Sequence, residues 1–208
     1  MIDYHDKYSD SYREQLGESI RRARDFGFDR IPFVSEANNV SDDTLAIAGD
    51  LTLDFSEFLH RLLPGYWGNS CQTLSTQLFA ALNSNGIAAD IVIGNVIING
   101  TDEFETTLDV LMAEVCATDE IEGHQAIHAW VSLGDDTIID AALPSRLVKH
   151  YRAPREIGNV IFVERASFLS EHYRLRYQPL LVGTEFFAKT NPPDPLELLL
   201  KLRALRGK

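Results

Sequence analysis

The chain has 208 residues, 45% of them hydrophobic and 24% charged, which is the profile of an ordinary folded protein and excludes global disorder. Its 19 Lys and Arg residues against 31 Asp and Glu give a formal charge of −12, which works against a nucleic-acid partner because phosphate backbones require clustered cations. Two cysteines, Cys71 and Cys116, make neither a disulfide framework nor a zinc ligand set.

From Ser9 to Phe26 the positions Tyr12, Leu16, Ile20 and Ala23 fit an amphipathic helix with its Arg and Glu residues facing water. Residues 27–45 are mixed and polar, with Ile31-Pro32-Phe33-Val34 as the anchor and Asn38 to Asp43 as loop or cap. A second helix is expected over about Asp54 to Leu63, stopping before Pro64.

Pro64-Gly65-Tyr66-Trp67-Gly68 is rich in breakers, and Asn69 or Ser70 can cap a helix starting at Cys71. From Cys71 the residues Leu74, Leu78 and Leu82 recur every four positions, a helical stripe. Asn83-Ser84-Asn85-Gly86 ends it, with Gly86 in the left-handed position. Cys71 therefore stands in the first turn of a helix, where the dipole and unpaired N–H groups favour a thiolate.

Ala89 to Ile98 reads as a buried strand ending at Asn99-Gly100. The stretch from Thr101 to Glu122 carries acidic residues, with Phe104 to Met112 as strand or helix. It is read in the first place as a solvated connection, with an acidic rim to the cleft that influences substrate choice as the alternative. Two β-favouring runs, Gln125 to Leu133 and Thr137 to Asp140, flank Gly134-Asp135 and form a hairpin. A three-residue loop centred on Gly134 places His128 opposite Asp140; a two-residue loop places it opposite Ala141. Asp135 and Asp136 are turn residues without chemistry. Beyond them, 144–157 reads as a basic connection, Asn159 to Val163 as a strand, and Tyr177 to Phe187 as one strand or two, broken at Pro179 and Gly183. Pro192-Pro193-Asp194-Pro195 introduces a C-terminal helix.

A cysteine at a helix start with a histidine and an aspartate on adjacent strands is a nucleophile–base–orienter pattern. The carboxylate fixes one imidazole tautomer, and the imidazole takes the thiol proton. His124, four residues from His128, is a competing base. His128 is preferred because it carries the Trp130-Val131 context and can lie across from Asp140. The backbone N–H of Cys71 is a candidate oxyanion donor, with Asn69, Gln72 and the Trp67 indole as candidates for a second.

The order Cys71, then His128-Ala129-Trp130-Val131, then Asp140 resembles the transglutaminase-like superfamily, a branch of papain-like folds. The resemblance covers roughly Tyr66 to Leu143, including the passage Asn85 to Gly94. It implies an α+β fold in which a central helix bearing the cysteine packs on an antiparallel sheet bearing the histidine and aspartate. It also implies roles for Cys71 as nucleophile, His128 as base and Asp140 as orienter. Asn69-Ser70-Cys71-Gln72 departs from the Gly-Gln-Cys-Trp found in many transglutaminases, and the Arg-Gly-Gly of arylamine acetyltransferases is absent. The resemblance thus bears on fold and triad, not on the acyl donor.

The expected protein is one domain over 1–208: a helical portion 1–64, a core 65–190 and a C-terminal helix 191–208. It is expected to hydrolyse a peptide or amide through a thioester, with no metal or other cofactor. The alternatives are a glutamine deamidase or transglutaminase with the same triad, or a binding module on the same fold. Its partners would be peptide, protein or small amide substrates, not nucleic acid or membrane. With no signal-like or membrane-spanning run, the expected location is the cytoplasm, with signal-independent export left open.

Overall fold

The computed structural model describes residues 4–117, 127–191 and 193–206. At its centre lies β1 (Asp90–Ile98), buried along nearly its whole length. Ile91 and Ile93 enter one apolar core, and Val92, Val96 and Ile98 enter another on the opposite face. This explains why the strand reads as a continuous apolar run rather than as an alternation.

On the first face lies α3 (Cys71–Ser84), whose Leu74, Leu78 and Leu82 are buried with Ala129, Val131 and Ile139. Burying each such leucine stabilises the fold by about 1.5–3 kcal/mol. The helix closes in a Schellman motif: Ile87 N–H donates to Leu82 O at 3.1 Å and Gly86 N–H to Asn83 O at 3.3 Å, with Gly86 at φ 82°. Against α3 packs the C-terminal helix α8 (Pro195–Arg206). Its Arg203 and Arg206 donate to the terminal carbonyls of Asn83 and Ser84. On the second face, α1 (Tyr4–Asp25) lays Tyr12, Leu16 and Ile20 against β6 (Leu175–Val182) and β1.

The sheet is antiparallel throughout, and the class is α+β. One edge of β1 pairs with β6 over Val92–Ile98; the other takes β3 (His128–Ser132) over Asp90–Gly94 and the short β2 (Thr101–Asp102) at Ile97–Ile98. Beyond β3 follow β4 (Thr137–Asp140) and β5 (Phe162–Arg165).

Several expectations are revised. The second helix, α2 (Asp42–Leu62), begins twelve residues before the expected start, because Ser41 Oγ accepts from Thr44 N–H and Asp42 and Asp43 occupy the first turn. Of the strand or helix left open for Phe104 to Met112, helix holds from Leu108: α4 (Leu108–Cys116) is capped by Thr107. The basic connection at 144–157 contains helix α5 (Leu143–Tyr151). Pro144 sits in its first turn, where no N–H is needed. The strand expected at Asn159–Val163 is displaced to β5, which leads into α6 (Ala166–Tyr173). The segment after Gly183 is α7 (Glu185–Thr190), so only β6 is strand there. Asp135 and Asp136 do sit in the turn, but they are buried anchors. Asp135 accepts from Arg13, Arg165 and Val40 N–H; Asp136 accepts from Ser167 Oγ and Ala166 N–H at the start of α6.

Candidate functional site

A 3-10 turn, Trp67–Asn69, delivers the chain into α3. Ser70 is the N-cap residue, yet its side chain makes no capping bond. The first rung of the helix is Leu74 N–H to Ser70 O at 2.9 Å, so the N–H of Cys71 lies outside the helical ladder. The Cys71 thiol is 7% exposed and donates to Ile127 O at 3.5 Å. Both Cys71 and Cys116 are free thiols, and Cys116 is exposed.

Ile127 leads directly into His128, the first residue of β3. The β3–β4 register pairs Val131 with Ile139. Extended along the strands, this sets Trp130 opposite Asp140 and His128 opposite Ala142, matching neither loop length expected from sequence. The turn is centred on Asp135, one residue nearer to β4 than a loop centred on Gly134. Gly134 and Asp135 both have positive φ, and Ser132 and Thr137 hydroxyls fill the bonds that a regular ladder would make. The discrepancy from the Asp140 pairing is two residues, so it preserves the face. His128 and Asp140 are diagonal neighbours on one side of the sheet, and His128 Nε2 lies 2.6 Å from Asp140 Oδ2.

Asp140 is 1% exposed and saturated with donors. Its Oδ1 accepts from Ala142 N–H at 2.9 Å and Leu143 N–H at 3.0 Å, while Oδ2 accepts from His128 and from Tyr177 O–H at 3.0 Å. With Nε2 bonded to the carboxylate, Nδ1 is the imidazole nitrogen left over. It is buried without a hydrogen-bond partner, and the Cys71 thiol, bonded to the carbonyl of Ile127 directly before His128, acts on the ring electrostatically. Cys71, His128 and Asp140 are therefore brought together. His124 lies outside the described residues.

The ring is clamped as well as bonded. Phe104 stacks on His128 at 4.6 Å between centroids and 9° between planes. The Arg146 guanidinium lies over the Phe104 ring, 4.9 Å from its centroid, and pairs with Glu103 at 2.5 Å. Asn95 fixes this segment from β1 by exchanging two 2.9 Å bonds with the Thr106 backbone. The stretch expected to be a solvated connection thus supplies a wall of the site. Phe104 and Tyr177 are not identifiable from sequence: one lies in a stretch of mixed periodicity, the other in a strand with no sign of its partner.

Burial opposes charge on His128, but the Asp140 carboxylate and then Cys71 outweigh it, and the imidazole is pushed up to about 10. Burial likewise opposes charge on Asp140, and His128 with the two backbone N–H groups holds its carboxyl below the ordinary range. Asp90 differs: burial dominates the N–H bonds from Phe33 and Ile91, and its carboxyl is pushed up to about 7. The signs combine. A histidine whose folded pKa is raised contributes stability fully present below about 6.5 and lost as pH rises through about 10. The raised Asp90 removes stability as pH rises from 3.8 toward 7, whereas Asp140 removes it as pH falls below 3.8. Urea unfolding across this range is expected to show stability falling between about pH 6.5 and 10, with the unfolding constant rising by up to about tenfold per unit. A flat or rising curve there would contradict the His128 environment.

Of the candidate oxyanion donors, Trp67 is removed: its indole N–H donates to Leu63 O at 2.8 Å, and the ring is buried against His60. Asn69 is exposed at the end of the 3-10 turn, and Gln72 occupies the first turn of α3. Among the described residues no group of His, Cys, Asp and Glu has the arrangement of a metal site, and no helix is long and apolar enough to cross a membrane. No family model, curated protein or solved structure matches this chain, so its chemistry is read from the geometry of Cys71, His128 and Asp140.

Proposed function

We propose that this chain is a cysteine-dependent acyl-transfer enzyme of transglutaminase-like, papain-like architecture that hydrolyses a peptide or amide bond. The observation that carries the reading is that a distant helix brings its first residue to the hairpin: His128 Nε2 is bound to Asp140 at 2.6 Å, and the Cys71 thiol is bonded to the carbonyl of Ile127 directly before His128. An inert cysteine packed as a small hydrophobe needs no such neighbours.

In the proposed reaction Cys71 gives its proton to His128 Nδ1, and the thiolate adds to the amide carbonyl. The oxyanion is met by the Cys71 backbone N–H. Collapse breaks the C–N bond, His128 returns the proton to the leaving amine, and a thioester remains. Water, deprotonated by His128, then attacks the thioester and releases the carboxylic acid and the free thiol. With an amine as acceptor the same steps give transamidation, and with a glutamine side chain as donor and water as acceptor they give deamidation. The 7% exposure of Cys71 and 1% exposure of His128 favour a second reading, a binding module that keeps the arrangement without turnover.

Cys116 provides an internal reference, because it is the more exposed thiol. Mass spectrometry after brief exposure to electrophilic amide and acyl reagents near neutral pH is expected to find Cys71 modified ahead of Cys116. Cys71→Ala should abolish that adduct, and His128→Ala should slow it by about 100-fold or more. Modification confined to Cys116 would leave the binding module standing and the enzymatic reading without support.

A further inference from the structure

Among the described residues, Tyr177 is the one side chain besides His128 that hydrogen-bonds the Asp140 oxygen holding the imidazole. Its position is overdetermined. Trp130 packs edge-on against it at 5.0 Å, Tyr8 O–H donates to its backbone carbonyl at 2.9 Å, and Trp130 is itself fixed by a 3.1 Å bond from its indole N–H to Tyr12 O–H. Tyr8 of α1 thus braces the strand that presents this phenol, and Tyr12 braces the β3 ring packed against it. Being fully buried beside a carboxylate, the phenol stays protonated, so toward Asp140 it acts only as a donor.

The geometry points to Tyr177 as a positioning residue that sets how tightly Asp140 holds the imidazole proton, an inference that rests on the proposed roles of Cys71, His128 and Asp140. Both the phenol and the imidazole draw on the negative charge of Oδ2. With the phenol in place, the carboxylate keeps His128 Nε2 protonated and oriented without binding the imidazolium so strongly that it cannot release a proton to a leaving amine. Without it, the whole charge of Oδ2 faces His128. The other groups around the ring are Cys71 from α3 and, behind Phe104, the Arg146–Glu103 pair; Tyr8 and Tyr12 lie beyond Tyr177. None of them donates to Oδ2.

The test follows His128 by NMR in protein with labelled histidine, on a Cys71→Ala background so that the sulfur does not contribute. Tyr177→Phe keeps the ring and its packing on Trp130 but removes the donor. The imidazole titration midpoint is expected to rise by about one unit, and the Nε2–H resonance to move further downfield. Tyr12→Phe, which removes a bond from the same aromatic group without touching Asp140, should leave the midpoint unchanged. If Tyr177→Phe does not fold, 3-fluorotyrosine at position 177 keeps the shape while strengthening the donor, and the midpoint should fall. An unchanged midpoint in the folded Tyr177→Phe protein, whatever its stability, overturns the inference; so does an unchanged midpoint with the fluorinated residue. The titration needs no substrate. Failure to modify Cys71 would sink the acyl-transfer reading and leave this measurement intact, whereas modification of Cys71 with an unmoved midpoint would sink only the role of Tyr177.

Discussion

Asp140→Asn is expected to silence Cys71 while leaving the fold in place. The asparagine carbonyl can keep the two bonds that Asp140 Oδ1 accepts from Ala142 and Leu143 N–H, so the start of α5 is preserved. Its amide nitrogen then replaces Oδ2 and turns a donor toward His128 Nε2, which sits 2.6 Å from that atom. To pair with a donor, Nε2 must become the acceptor, and the ring proton moves to Nδ1. That is the nitrogen proposed to take the Cys71 proton, and once protonated in the neutral ring it cannot accept it. The rate of Cys71 acylation is expected to fall by about 10²–10⁴, with stability reduced by about 1–3 kcal/mol because the Tyr177 O–H loses its acceptor at Oδ2. Asp140→Ala separates the two effects. It leaves the Tyr177 O–H, two backbone N–H groups and the imidazole without their buried acceptor, and should cost about 3–5 kcal/mol. Acylation rates and urea unfolding on both variants check this; an asparagine variant as reactive as the parent would remove Asp140 from the mechanism.

That the three residues can be picked out of the sequence reflects the kind of signal each carries. Cys71 comes after a run of breakers and starts a four-residue stripe, both local patterns. His128 and Asp140 flank a Gly-Asp turn, also local. What local pattern cannot carry is the register. Moving the centre of the turn from Gly134 to Asp135 is accommodated by the Ser132 and Thr137 hydroxyls, and no turn rule announces it. The shared face survives because the slip is an even number of residues.

The elements that sequence pattern does not reveal share a cause. Pro144 has the look of a breaker, although in the first turn of α5 its missing N–H costs nothing. The early turns of α2 contain few buried side chains, so the cap that Ser41 and its two aspartates can form is not followed by a stripe that marks a helix. Phe104 and Tyr177 join the site only through tertiary contact, by a stack and a hydrogen bond across separate strands and loops. Asp135 and Asp136 show the converse. Their turn position is legible, but their burial beneath Arg13, Arg165 and the start of α6 depends on residues up to 122 positions away.

Gly94→Ala is expected to damage fold and site together. Gly94 is the β1 partner of His128 on one side and of Pro179 on the other, where the β1–β6 register shifts. A proline offers no N–H to the ladder, and at this irregularity the β6 backbone leans over β1. A Cβ on residue 94 would collide with the Gln178 carbonyl oxygen and stand 2.9 Å from the Trp130 ring. The oxygen belongs to backbone, so β6 itself must move. Tyr177, one residue before Gln178, moves with it, and the strain reaches Asp140 through the Tyr177 hydrogen bond. Overpacking of this kind costs about 1–3 kcal/mol, and a backbone clash belongs at the upper end. Gly100→Ala supplies the contrast, since that residue has φ 90° but nothing within 4 Å of an added Cβ, leaving only conformational strain of about 1–2 kcal/mol. The diagnostic is therefore Cys71 reactivity rather than stability alone. Gly94→Ala should lower both the unfolding midpoint and the rate of Cys71 acylation, while Gly100→Ala should lower only the midpoint. If both variants leave the rate unchanged, β6 does not transmit backbone position to Asp140.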